Sequence, residues 1–159
     1  MSCCLLMALN DRLLTRSRLL KFGIINSDLC VLCNTNSKTV EHLFFSCEYS
    51  TYIWAQCKFK LGLQPNVHNL QKEANSFRTI YAQNKRSSAL WKLVLAAAVW
   101  YLWKERNRRV FKAKEHTKLE LIKKITADVN ILMNTCSWKI EGTTKELEIF
   151  SNWNLSIDR

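Results

Sequence analysis

Residues 30–47 have the sequence CVLCNTNSKTVEHLFFSC, which contains the spacing C-x2-C-x8-H-x4-C. Zinc prefers four thiolate or imidazole ligands in a tetrahedron, and three cysteines with one histidine form a closed structural site. One tight turn offers Cys30 and Cys33 to the same ion, and a second short element offers His42 and Cys47. The sequence therefore predicts a structural zinc site made of these four residues, with the thiols deprotonated on binding.

Two other interpretations of this stretch stay open. Cysteines are often buried for packing alone, without any ligand. A redox C-x-x-C motif is the other alternative, but it belongs at a strand-to-helix junction and leaves His42 and Cys47 without a role. If zinc is bound, Glu41 is a candidate to accept the free ring N–H of His42, as a backbone carbonyl also would.

The remaining cysteines and histidines show no ligand spacing. We expect the cysteines among them to be core or surface thiols and the histidines to be solvated; these residues are Cys3, Cys4, Cys57, Cys136, His68 and His116. The total of seven cysteines is odd, and residues 1–9 lack the basic segment that begins a secretory signal. We therefore expect an intracellular, reducing compartment, nucleus or cytoplasm, where clustered cysteines usually bind metal.

The composition favours a globular, mainly helical protein. Of the 159 residues, 48% are hydrophobic, 23% are charged, and only 3 are Gly and 1 is Pro, too few for the many tight turns of a sandwich or barrel. The longest apolar run, Leu93 to Trp103, is too short to span a bilayer and is typical of a buried helix. The predicted fold is a small Cys3His zinc module with short helices, followed by a hairpin of long helices.

Helical spacing and turn residues divide the chain into four predicted segments: a zinc-binding module (1–62), a linker with a possible helix (63–87), a helical hairpin (88–135) and a C-terminal tail (136–159). The boundary after the module lies near Pro65, the only proline. In the module, we expect short helices with an apolar face at Leu5, Leu6, Leu9 and Leu13, from Arg16 to a stop at Gly23, and from Ser50 to Lys60.

The hairpin is predicted from two apolar faces joined by a short connection. Its helices run from about Ser88 to Lys114 and from about Thr117 to Met133. The expected core residues are Leu90, Leu93, Val94, Ala97, Tyr101 and Phe111 on the first helix and Leu121, Ile125, Val129 and Leu132 on the second. In the tail, Trp138 and Trp153 are possible anchors.

Positive charge is concentrated at the end of the first long helix. The chain carries a net charge of +11, which favours polyanionic partners. Lys104, Arg108 and Lys112 are spaced four residues apart and share a helix face, where they are candidates to follow a phosphate backbone while a nearby Trp or Tyr stacks on bases. The alternative is a solvated basic end of a core helix, with the tryptophans in the core.

Catalytic motifs are missing from the sequence. It has no glycine-rich phosphate loop, no His-x-Glu with Pro-Cys-x-x-Cys, and no Asp-Asp pair for a two-metal polymerase. A closed Cys3His site leaves no open coordination position for catalysis. We therefore expect a protein that is not an enzyme.

Several motifs together resemble one protein family. Residues 9–19 (LNDRLLTRSRL), the Cys30-x-x-Cys33 pair, residues 41–47 (EHLFFSC) and Trp54 are similar to the zinc-binding domain that follows reverse transcriptase in plant LINE-type non-LTR retrotransposons. Residues 100–111 (WYLWKERNRRVF) resemble the linker towards RNase H in the same elements. The resemblance implies nucleic-acid handling beside a polymerase, in a piece of a retroelement polyprotein.

From the residues and this resemblance, we expect a non-catalytic zinc module that binds RNA or DNA and no membrane. The expected phosphate contacts are Arg12, Arg16, Arg18, Lys104, Arg108 and Lys112. The competing hypothesis is a protein-interaction or scaffold remnant, in which zinc only folds the first half of the chain.

Overall fold

The computed structural model describes residues 1–23, 29–35, 39–80, 85–135 and 143–156, without the side chains of residues 2, 16–18 and 77–80. Within these ranges the chain forms helices and no β-strand, which confirms the predicted mainly helical class. The elements are α1 (Ser2–Leu9), α2 (Arg16–Lys21), a π-helical turn (His42–Ser46), α3 (Glu48–Lys60), α4 (Leu70–Ile80), α5 (Lys85–Lys112), α6 (Lys118–Asn134) and α7 (Thr144–Asn152).

The long helix α5 is the centre of the fold. It packs against α1, α3, α4, α6 and the π-helical turn, and α3 also packs against α6. Its buried residues include Leu90, Val94 and Ala97, as predicted from the helical spacing. Among the described residues, no helix is both long enough and apolar enough to cross a membrane.

Helices α5 and α6 form the predicted antiparallel hairpin. Near the middle of the pair, the hydroxyl group of Tyr101 donates a hydrogen bond of 2.6 Å to Oδ2 of Asp128. Helix α6 begins with a capping box, because Oγ1 of Thr117 accepts from the N–H of Glu120 while Oε2 of Glu120 accepts from the N–H of Thr117. This reciprocal pair fixes the start of α6 one residue after the predicted start.

Three of the core positions predicted on α1, α5 and α6 are wrong. Leu6 on α1 is 62% exposed and Phe111 at the end of α5 is 76% exposed. Leu132 on α6 is also exposed, and Met133 takes its place in the core. Met133 follows Ile125 and Val129 at steps of four residues, so it lies more directly on their face than Leu132 does.

Aromatic side chains join the first part of the chain to the central helix. The rings of Phe45 and Trp54 meet edge to face at 6.2 Å, and those of Trp54 and Trp91 meet in the same way at 5.9 Å. One continuous set of buried apolar residues therefore extends from the Cys/His stretch into α5 and α6. The division of the chain into four segments stays a prediction.

The bounds of α2 and α3 lie close to those predicted from the sequence. Helix α2 runs from Arg16 to Lys21, and Gly23 has a φ of +67°, the left-handed conformation expected of a glycine that ends a helix. Helix α3 begins at Glu48, two residues before the predicted start, and Cys47 is its N-cap.

The predicted linker and tail each contain a helix. Helix α4 lies in the linker, where a helix was possible, and α7 lies in the segment that we expected to be a tail. Thr143 caps α7 through the N–H of Glu146, and Trp153 just after α7 is fully buried, as the anchor role requires. The side chains of Lys60 and Asn152 each donate to the other residue's carbonyl, which ties α7 to the end of α3. Cys136 and Trp138 lie outside the described residues.

Candidate metal centre

The structure brings the four predicted ligands together. The sulfur atoms of Cys30, Cys33 and Cys47 and a ring nitrogen of His42 all lie within 4.8 Å of one another. Two of the separations are 3.9 Å, between Sγ of Cys30 and Sγ of Cys47, and 3.4 Å, between Sγ of Cys33 and Nε2 of His42. A zinc tetrahedron with sulfur at 2.3 Å and nitrogen at 2.0–2.1 Å has edges of roughly 3.5–3.8 Å. The donor set and its dimensions therefore fit a zinc ion.

A tight turn presents the first two cysteines. The N–H of Asn34 donates to the carbonyl of Cys30 at 2.6 Å, and the N–H of Cys30 donates to the carbonyl of Thr35 at 2.9 Å. Asn34 has a φ of +56°, a left-handed conformation that asparagine tolerates better than most residues. Oγ1 of Thr35 also lies 3.0 Å from Sγ of Cys33, a contact that helps to fix the position of the thiol.

A π-helical turn presents the other two ligands. The N–H of Cys47 donates to the carbonyl of His42 at 2.7 Å, the bond from residue i+5 to residue i that defines this turn. Between them, Leu43, Phe44 and Phe45 are buried and fix the turn to the core. The four-residue gap of the motif is thus the length of one wide helical turn, which brings its first and last residues to the same ion.

The environment of the sulfurs favours a thiolate before any metal is added. A proton shared with Cys47 lowers the pKa of Cys30, burial opposes this, and the backbone N–H groups of Leu32 and Cys33 add to the lowering. The same shared proton and burial raise the pKa of Cys47, while the N–H groups in the first turn of α3 act in the opposite direction. Zinc would displace the shared proton and favour the thiolate form of both residues.

The other described cysteines differ from this set. Burial raises the pKa of Cys4 to about 11 and that of Cys57 to about 12, so both are inert core thiols. Cys3 is exposed on α1. These placements agree with the expectation of core or surface thiols.

Glu41 does not contact His42 as proposed from the sequence. Its carboxylate accepts a hydrogen bond of 3.4 Å from the backbone N–H of Leu70, the first residue of α4. The first N–H groups of a helix lack partners within the helix, which explains why an acidic side chain is stabilised there. Glu41 therefore connects the metal-binding stretch to α4.

Arg109 of α5 reaches the turn between Cys30 and Cys33. Its Nη1 atom lies 3.2 Å from the carbonyl oxygen of Val31 and 3.3 Å from that of Leu32. The guanidinium group also lies over the ring of Tyr49, 4.7 Å from its centroid. One arginine thus holds both carbonyls of the C-x-x-C turn, and the sequence separation of almost eighty residues hid this contact.

A buried carboxylate orients Arg109. Oε1 of Glu105 accepts from Nε of Arg109 at 2.9 Å and from the N–H of His116 at 2.8 Å, and Oε2 lies 2.7 Å from Nδ1 of His116. Burial acts to raise the pKa of Glu105, but the hydrogen bonds from His116 and Arg109 outweigh it, and the pKa lies below its ordinary value. The prediction that His116 is solvated is therefore wrong, whereas His68 is exposed as expected.

The predicted phosphate contacts are on the surface where their side chains are described. Arg12, Lys104 and Lys112 are exposed and Arg108 is half-buried, while the side chains of Arg16 and Arg18 lie outside the described part of the structure. Among the described residues, none of these four forms an ion pair. Of the tryptophans, Trp54, Trp91 and Trp153 are fully buried, and Trp100 and Trp103 are half-buried.

Residues 1–54 match the model of a protein family described as zinc-binding in reverse transcriptase. The matched segment contains all four residues of the metal centre, and the family is a zinc-binding domain rather than the catalytic domain of reverse transcriptase. The first third of this chain is therefore similar to reverse transcriptase zinc-binding domains in its sequence, and its Cys/His set is one that can bind zinc. No curated protein and no solved structure shows a significant match to the chain.

Proposed function

We propose that the protein is a non-catalytic structural-zinc module, derived from the polyprotein of a plant LINE-type non-LTR retrotransposon, that binds nucleic acid. The family match and the Cys3His cluster support the zinc module. Positive charge on the exposed end of α5 supports the nucleic-acid partner, and the resemblance of residues 100–111 to the linker before RNase H supports the origin.

The zinc part of the proposal predicts one zinc ion per chain. The purified protein should show the mass of one bound zinc by native mass spectrometry, because three thiols and one imidazole at tetrahedral distances form a closed site. The double variant Cys30→Ser/Cys33→Ser should carry none. Metal-free wild-type protein with full helicity after purification in the presence of zinc would contradict the assignment.

The observation that carries the nucleic-acid part is a set of three cations on α5 that form no ion pair within the described residues. Lys104, Arg108 and Lys112 lie at steps of one helical turn and border the same concavity. The neighbouring Arg109 differs, because its guanidinium is held by Glu105 and by the C-x-x-C turn. Arg109 therefore has a structural role, whereas the other three side chains are available to phosphate oxygens.

Changing Lys104, Arg108 and Lys112 together to Gln should weaken the binding of single-stranded RNA whatever its sequence. Each phosphate contact on a single strand contributes about 0.7 to the slope of log affinity against log salt, so three lost contacts lower the slope by roughly 2. The measurement is fluorescence anisotropy with a labelled oligonucleotide at several salt concentrations. The melting temperature should move little, since Lys104 and Lys112 are exposed and none of the three forms an ion pair within the described residues.

The matched control removes the same charge elsewhere. Lys21, Lys72 and Lys145 are exposed on other helices, and their triple change to Gln lowers the net charge by the same amount. This control variant should keep most of the wild-type slope of log affinity against log salt. If both triple variants lower the salt slope equally, RNA binding depends on the total charge of the protein and not on the cations of α5. If the wild type binds no RNA, the protein-interaction scaffold becomes the better description.

A further inference from the structure

The end of α5 and the start of α6 enclose a concavity of about 340 Å³. Its wall includes Lys104, Arg108 and Phe111 from α5 and Lys124 from α6. Ligand pockets begin at about 300 Å³, so this one has room for a single small unit rather than an extended surface. We propose that it holds one nucleotide of a single strand, with the phosphate on the cations and the base against Phe111. This inference rests on the proposed nucleic-acid function.

The charge around the concavity suits a phosphate group. Lys104, Arg108, Lys112 and Lys124 all line it, and no ion pair is formed by any of them within the described residues. Glu105 is the acidic residue of the wall, and its charge is already balanced by Arg109 and by the hydrogen bonds from His116. The cations therefore face the concavity without a competing carboxylate.

Phe111 supplies the flat apolar surface that a base needs. Phe111 is 76% exposed in the last turn of α5, and it borders the same concavity as the cations. Stacking of a base on an aromatic ring tolerates any sequence, because every base has a π face. An acidic peptide would also be attracted by the cations, but it would leave this ring without a partner.

The same geometry favours a single strand over a duplex. The bases of a duplex are paired and stacked on one another, so none of them is free to lie against a side chain. An unpaired nucleotide can place its phosphate and its base in one concavity at the same time. The phosphate contact and the base contact use different side chains and different groups of the nucleotide, so they can be separated by substitution.

The experiment compares a labelled oligouridylate with an RNA duplex of the same length. Phe111→Ala should weaken oligouridylate binding by roughly 5- to 150-fold, the range that the loss of one stacked base produces. The salt slope should be unchanged, because no phosphate contact is lost, and Phe111→Trp should restore affinity. Lys124→Gln should instead lower the salt slope by about 0.7 although it lies on the other helix. The duplex should bind more weakly than the single strand, and its affinity should not change when residue 111 is substituted.

The matched control is Phe59→Ala, since Phe59 on α3 is 66% exposed and lies outside the concavity. It should leave oligouridylate binding unchanged. If the Lys104/Arg108/Lys112 variant loses RNA binding but Phe111→Ala does not, and the duplex binds as well as the single strand, the nucleotide site is refuted while the proposed function stands. The inference is also overturned if the wild type binds neither RNA. The same holds if polyglutamate, and not RNA, binds at the concavity.

Discussion

Cys47→Ser will abolish stoichiometric zinc binding and unfold the first third of the chain. The apparent free energy of zinc binding in small modules amounts to roughly 10–16 kcal/mol, and much of it is expressed as folding. Serine is a poor zinc ligand, and residue 47 is also the N-cap of α3 and the end of the π-helical turn. The effect is measured by native mass spectrometry for the metal and by hydrogen exchange for residues 39–60.

Two other cysteines provide controls for this result. Cys3→Ser changes an exposed thiol and should leave zinc binding and stability unchanged. Cys57→Ser places a hydroxyl in the core, so it should destabilise the protein by about 1–3 kcal/mol while one zinc ion remains bound. Equal melting temperatures for all three variants would show that the ligand set is wrong.

The metal centre was readable from the sequence because its geometry is local. All four ligands lie within eighteen residues, and two short turns supply them. The sequence pattern does not show which contacts hold each turn in place. The gap between His42 and Cys47 becomes a π-helical turn because Leu43, Phe44 and Phe45 are buried, and burial of three successive residues depends on the helices around them.

The helices were predicted better than the faces they bury. Helical spacing located α5 and α6 to within a few residues, since a long periodic segment carries a strong signal. The same spacing placed Phe111 in the core, although the residue is exposed in the last turn of α5. Helix α7 was missed because it is short, and its burial depends on contacts with α3, far away in the sequence.

The contact that sequence reasoning could not find joins the basic helix to the zinc turn. The pair Glu105 and Arg109 is visible in the sequence as an ion pair at i, i+4. Nothing in the sequence shows that this arginine also binds the carbonyls of Val31 and Leu32, or that His116 completes the network. In the sequence, Arg109 is one of six Lys and Arg residues between positions 104 and 114, and nothing there distinguishes it from the others.

Glu105→Gln should therefore destabilise the zinc-loaded protein by about 3–5 kcal/mol. The Glu105 side chain is fully buried, and removing its charge leaves the guanidinium of Arg109, only 14% exposed, with the exposed Glu115 at 3.6 Å as its remaining ion-pair partner within the described residues. Because Arg109 holds the C-x-x-C turn, the same change should weaken zinc binding on the order of 10-fold, as the loss of groups that orient metal ligands does elsewhere. Urea unfolding gives the first quantity, and competition with a chromophoric chelator gives the second.

Arg108→Gln is the control on the same helix, because Arg108 lies next to Arg109 but faces the concavity and has no ion-pair partner within the described residues. It should change stability by no more than about 0.5 kcal/mol and leave zinc affinity unchanged.

Val129→Ala provides a second control, since it weakens the α5–α6 core without touching the zinc turn. At temperatures where all variants are folded, it should bind zinc like the wild type. If Glu105→Gln matches Val129→Ala in zinc affinity, Arg109 only stabilises the fold; if Glu105→Gln alone loses affinity, α5 orients the metal ligands.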